Sequence, residues 1–213
     1  GGTLQIGNSG TPAASNFQIA GLMPDLVVDN TTNTKTATIF ASSPATQSLN
    51  VTINTGSTLN LNGFTLTTSG TTFSNNGTLT GTAAASRLYF LNESAAQTYS
   101  GTGTVTSPLD GLSIDSPSGV TISSGISPNI TTLLVNLFRG TVANSNKLTL
   151  GNGGATAPQT VIGRVGLTTA GGSYDAAPTF SAGTGGYSVS YQPEAGERTT
   201  GFEIPASRSV TNV

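Results

Sequence analysis

Residues 49–82, LNVTINTGSTLNLNGFTLTTSGTTFSNNGTLTGT, limit what this chain can become more than any other stretch. Apolar side chains alternate with small polar ones at Val51 and Ile53, at Leu59 and Leu61, at Phe64 and Leu66, and again at Leu79. Turn residues separate these runs: Thr55-Gly56-Ser57, Asn62-Gly63, Ser69-Gly70 and Asn75-Asn76-Gly77. A period of two puts every second side chain on one face, which is the pattern of a strand; a helix needs apolar residues three and four apart. The stretch therefore predicts very short β-strands joined by tight turns, and nothing in it reads as a helix.

The rest of the chain has the same texture. Only 8% of its 213 residues are charged, against about 25% in an ordinary domain. A net charge of −2 and recurring β-branched residues argue for order over disorder. There is no Cys, so there is no disulfide framework and no thiolate metal site. There is no His, which removes the commonest general base and the commonest metal ligand. Seven scattered Lys and Arg residues and a pI near 4.8 argue against nucleic acid as a partner. No apolar run approaches the ~18 residues of a membrane helix. The chain starts at Gly1 without Met, so a processed or excised product is expected.

Further strands are expected at Leu4–Ile6, over 24–30, at Thr36–Phe40, at Arg87–Leu91 and over Gln97–Thr106. Others are expected at Leu112–Ile114, Val120–Ile122 and Lys147–Leu150. Thr131–Val142 (TTLLVNLFRGTV) is apolar enough for a helix, and Asn129 stands where an N-cap would; its Thr and Val content favours strand. Residues 1–167 form the expected solenoid body. Residues 168–213 read as a less regular β and loop region that continues or flanks it, with Tyr174, Phe180, Tyr187, Tyr191 and Phe202 gathered there.

Degenerate repeats run through the chain. Leu4-Gln5-Ile6-Gly7-Asn8 matches Leu148-Thr149-Leu150-Gly151-Asn152. Asp25–Asn30 resembles Asp110–Ser116, and Phe40, Ala45, Gln47 and Leu49 share their spacing with Phe90, Ala95, Gln97 and Tyr99. Two all-β architectures accommodate this: an antiparallel β-sandwich and a parallel β-solenoid. The solenoid is favoured. The runs are very short, and Thr, Ser and Asn can line up in ladders from coil to coil. Charge is scarce, as it must be where like residues stack directly above one another.

The stretches LNLNGFTLTTSGTTFSNNGTLTGT, AAQTYSGTGTVTSPLDGLSIDSPSGVTIS and NKLTLGNGG resemble the repeat regions of large secreted bacterial surface proteins. These are the parallel β-helices of adhesins, autotransporter-like passengers and type IX-secreted proteins. The resemblance covers roughly residues 49–154 and rests on degenerate, compositional motifs. It implies a secreted, extracellular or cell-surface location and a structural or adhesive role. It carries no catalytic residue. The ending SRSVTNV looks like the start of a further module, since Pro205 then Val210 parallels Pro24 then Leu26.

Three functions are weighed. The first is a structural or adhesive surface protein, not an enzyme, that self-associates head to tail through open strand edges or binds host or surface glycans. The second is a carbohydrate-binding or carbohydrate-active β-helix, with Tyr174, Tyr187 and Tyr191 as sugar-stacking rings. The third is an ice-binding protein, suggested by Thr78, Thr80 and Thr82 and by Thr102, Thr104 and Thr106; in sequence these arrays lie on no single regular period, so ordinary strand alternation accounts for them.

No catalytic, cofactor or metal residue is assigned. Asp25 with Asp29, and Asp110 with Asp115, are the only close Asp pairs, and turn capping explains them best. Glu194, Glu197, Arg198 and Glu203 read as a solvated surface. Gly151-Asn152-Gly153-Gly154 reads as a turn, because neither lysine nor helix follows it. Sequons at Asn30, Asn50, Asn76, Asn92 and Asn129 are what a chain this rich in Ser and Thr contains by chance.

Overall fold

The computed structural model describes residues 1–12, 14–29, 34–40, 46–81, 85–106, 109–123, 130–132, 134–151, 160–165, 171–181, 187–192, 200–204, 206 and 210–212. The chain begins with β1 (Thr3–Ile6) and β2 (Ser15–Ile19). Then come β3 (Asp25–Val28), β4 (Lys35–Ile39) and β5 (Thr46–Ser48). The next coil is β6 (Val51–Ile53), β7 (Thr58–Asn60) and β8 (Thr65–Thr68), followed by β9 (Thr72–Asn75), β10 (Thr78–Thr80) and β11 (Arg87–Leu91). It continues with β12 (Gln97–Ser100), β13 (Thr104–Val105), β14 (Gly111–Asp115), then β15 (Val120–Ile122), β16 (Ile130–Thr132) and β17 (Leu134–Arg139). The remaining strands are β18 (Thr141–Ala143), β19 (Leu148–Leu150), β20 (Thr160–Val165), β21 (Ser173–Tyr174), β22 (Thr179–Phe180), β23 (Tyr187–Gln192) and β24 (Val210–Asn212).

From β3 to β23 every third strand lies on the same side. Sheet 1 runs β1-β3-β6-β9-β12-β15-β18-β21. Sheet 2 runs β2-β4-β7-β10-β13, and sheet 4 (β16-β19-β22) carries on from β13 along the same side. Sheet 3 runs β5-β8-β11-β14-β17-β20-β23-β24. Every pairing between these strands is parallel. The fold is therefore a three-sided parallel β-solenoid, and the antiparallel sandwich does not apply. The boundary expected at 167/168 falls in 166–170, outside the described residues; beyond it β21, β22 and β23 extend sheets 1, 4 and 3.

Alternation explains the core. In each coil the residues at one parity point inward and stack on their equivalents. Leu4, Leu26, Val51, Phe73 and Tyr99 form one such column, and Leu66, Leu88, Leu112 and Val135 another. Full burial of each large apolar side chain contributes about 1.5–3 kcal/mol. Phe73 stacks on Tyr99 with ring centroids 5.4 Å apart and meets Phe90 edge-on at 6.2 Å. Burial pushes the Tyr99 phenol up to about 12, although Asn75 Nδ2 donates to its oxygen at 3.1 Å. Buried polar groups bond across coils: Gln97 Nε2 donates to the Thr68 and Gly70 carbonyls, and the Ser48 hydroxyl donates to Pro24.

The three sequence matches join different sides of the solenoid. β1 lies in sheet 1 and β19 in sheet 4; β3 lies in sheet 1 and β14 in sheet 3. Phe40 is an exposed corner residue after β4, whereas Phe90 is buried in β11; Ala45 lies outside the described residues. True equivalents sit one coil apart. Thr131–Val142 is no helix: β16, β17 and β18 divide it among sheets 4, 3 and 1. Gly140 makes the last corner at φ +82°, where a Cβ would lie 1.8 Å from the Ser116 carbonyl oxygen.

Candidate functional site

The outward side chains of sheets 2 and 3 are built from different chemistry. In sheet 2 the inward apolar residues are Phe17 and Ile19, Ala37 and Ile39, Leu59, Leu79 and Val105. The alternate positions, Asn16 and Gln18, Thr36 and Thr38, Thr58 and Asn60, Thr78 and Thr80, and Thr104, face the other way. Strand register stacks them: Asn16 on Thr36, Thr36 on Thr58, Thr58 on Thr78, and Thr78 on Thr104. Gln18, Thr38, Asn60 and Thr80 make the second column. The steps from Thr36 to Thr58, Thr58 to Thr78 and Thr78 to Thr104 are 22, 20 and 26 residues. The corners absorb these differences, so an array with no fixed period in sequence is in register in space. Thr78, Thr80 and Thr104 thus sit at alternating strand positions, as expected, and stack from coil to coil; Thr102 and Thr106 flank β13, and Thr82 lies outside the described residues.

These outward positions hold no charge and no aromatic ring. Lys35, the charged residue of β4, turns inward and is fully buried. The Thr38 hydroxyl donates to Asn16 Oδ1 at 2.8 Å, and Asn60 Oδ1 accepts from the Asn62 amide at 2.9 Å. The hydroxyls of Thr36, Thr58, Thr78 and Thr104 make no hydrogen bond among the described residues.

Sheet 3 differs. Tyr89 Oη donates to Asp115 Oδ2 at 3.0 Å, and its ring lies 6.2 Å from that of Phe138. Arg139 binds Asp115 through Nε and Glu93 through both terminal nitrogens, tying three successive coils together. Arg87 pairs with Asp110 at 3.4 Å. Burial first, then the Asp115 hydrogen bond, pushes the Tyr89 phenol up to about 12. The Arg139 hydrogen bonds hold the Glu93 carboxyl below its ordinary range.

The aspartate pairs fill structural roles. Asp110 and Asp115 take separate arginines. Asp25 Oδ1 accepts from the Asn50 amide and from Asn50 Nδ2, while Asp29 accepts from Asn54 and Gln5. Sequence reasoning overlooks Asp175. Burial opposes its ionisation, but the Ser145 and Asn144 amides and the Ser145 hydroxyl outweigh that and hold its carboxyl low. The signal lies in Asn144, whose left-handed φ of 59° turns both amides toward Asp175.

Glu203 is fully buried, not a solvated surface group; it accepts from Tyr191 Oη at 2.8 Å and from the Gly201 amide at 2.9 Å. Tyr174 is core, with its phenol pushed up by burial and by the Glu203 charge, so it presents no face to a sugar. Glu194, Glu197 and Arg198 lie outside the described residues, as does the side chain of Tyr187. Asn92 is buried and caps Ser94 and Ala95; Asn50 and Asn76 are hydrogen-bonded. Asn30, Asn129 and 152–154 lie outside the described residues.

Among the described residues no three His, Cys, Asp or Glu side chains group closely enough to hold a metal ion. No helix among them is long and apolar enough to cross a membrane. Comparison with protein-family models, with curated proteins and with solved structures finds no match.

Proposed function

We propose that this chain is a structural or adhesive part of a secreted bacterial surface protein. The observation that carries the reading is the uninterrupted stack: the chain passes through sheet 1 eight times in parallel over one continuous apolar core. A solenoid of this kind has low dependence on any one long-range contact and builds an extended, rigid body with a repeating lateral surface. Such a body suits holding or gripping at a distance from a cell. The outer backbone edges of β1 and β2 pair with no strand among the described residues, and such an edge accepts a further parallel strand, including one from a second copy.

The test displays residues 1–213 on the surface of bacteria that lack their own adhesins. The reading expects increased attachment to glycan-coated or host-cell surfaces, or filaments of the purified protein in electron micrographs that lengthen with concentration. A correctly folded chain that gives neither attachment nor filaments overturns it.

A further inference from the structure

We infer that the outward face of sheet 2 is an ice-binding surface. The inference goes beyond the surface-protein reading and rests on the solenoid alone. Its basis is complementarity of charge and of repeat. Thr36, Thr58, Thr78 and Thr104 stack in one column, with Thr38 and Asn60 beside it; Thr80, next in that second column, is buried. The backbone fixes their spacing at about 4.8 Å between strands and about 6.6 Å along each strand. That is an array repeating in two dimensions.

The chemistry narrows what can sit on it. A phosphate or carboxylate ligand needs a basic side chain, and the face carries none. A sugar ring is gripped by stacking on an aromatic face, and the outward positions of β2, β4, β7, β10 and β13 contain no ring. A protein partner is anchored by buried aromatic or arginine residues, which are also absent from these positions. What remains is an uncharged, repeating hydrogen-bonding lattice, and ordered water is such a lattice.

Each threonine offers it a hydroxyl and a methyl group. The four hydroxyls of the first column are unspent among the described residues, whereas the hydroxyls of Ser48 and Thr68 are spent on backbone carbonyls. β-Branching restricts χ1, and Leu59 and Leu79 directly beneath are fully buried, so little order has to be created on binding.

The test measures thermal hysteresis and ice recrystallisation with the 213-residue chain, the Thr58→Lys/Thr78→Lys double variant and the single variant Thr121→Lys, whose outward site lies on sheet 1. The wild type is expected to open a hysteresis gap and shape the crystals. The sheet 2 double variant is expected to lose both, and Thr121→Lys to keep both. The milder Thr58→Ser/Thr78→Ser pair, which removes only methyl groups, replaces the lysine pair if circular dichroism shows that it has not folded. No hysteresis or shaping by the wild type overturns the inference. So does undiminished activity in a folded sheet 2 variant, or equal loss in Thr121→Lys. Cell attachment is not read in this experiment, so either idea can fail alone.

Discussion

Sheet 2 and sheet 3 share one core and one set of coils, yet they use their outward polar groups in opposite ways. On sheet 3, Tyr89, Asp115, Arg139 and Glu93 bond to one another and tie separate coils together. On sheet 2, Thr36, Thr58, Thr78 and Thr104 stand in register and their hydroxyls make no hydrogen bond among the described residues. Polar groups that satisfy each other support the fold. Polar groups that do not are available to something outside it. The contrast teaches that polar groups spent on the fold and polar groups left unspent occupy different sides of the same solenoid.

The comparison breaks completely if the shared core fails. Phe73→Ala removes a fully buried ring that touches both Tyr99 and Phe90. We expect a loss of about 3–5 kcal/mol in chemical denaturation, with both faces lost together. A drop below about 1 kcal/mol contradicts the packing described.

Arg139→Ala should act on one face only. It leaves Asp115 and Glu93 without their cation at a partly exposed site, so about 0.5–1 kcal/mol is expected, less at high salt. The thermal midpoint of the variant against wild type at two salt concentrations checks this.

Acid should act at two corners, at Glu93 beside Arg139 and at Asp175 after β21. Glu93 and Asp175 are both held below their ordinary values of 4.5 and 3.8. Their contribution to stability is present above those values and is lost as pH falls through the lower folded-state values. Denaturation midpoints should therefore decline from about pH 5 downward. The threonine face has no titrating group and adds nothing to that decline. A midpoint constant down to about pH 2 contradicts the Asp175 and Glu93 geometry.

The smallest effect is expected at Thr58→Val, which keeps shape and β-branching and removes an unspent hydroxyl. The change should stay within about 0.5 kcal/mol in the same denaturation experiment. A larger loss would show that the hydroxyl is engaged in the fold and would erase the contrast with sheet 3.

Much of this fold is legible in the sequence. Arg87–Leu91 and Val120–Ile122 are strands with the bounds their alternation predicts. Short runs, scarce charge and stackable Thr and Asn point to a parallel solenoid. The correspondence between coils is not legible. Steps of 22, 20 and 26 residues along the threonine column blur any sequence period, while the sheet keeps exact register. Ser15–Ile19 shows only Phe17 and Ile19 as apolar signal, too little to announce β2. Thr131–Val142 looks continuous because its corners are short: Gly140 alone turns the chain between β17 and β18. The aromatic core at Phe73, Phe90 and Tyr99 is equally hidden, since the three are far apart in sequence and meet only when coils stack.

The central claim is the register that places Thr58 directly on Thr78. The chain has no cysteine, so engineered pairs report without background. Disulfides need Cα atoms within about 7 Å, whereas neighbouring rungs lie about 4.8 Å apart and second neighbours about 9.6 Å. Under mild oxidation, Thr58→Cys/Thr78→Cys should cross-link within the monomer, and Thr36→Cys/Thr78→Cys, two rungs apart, should not. Cross-linking of the second pair in preference to the first, or of neither, would contradict the register on which the threonine face depends.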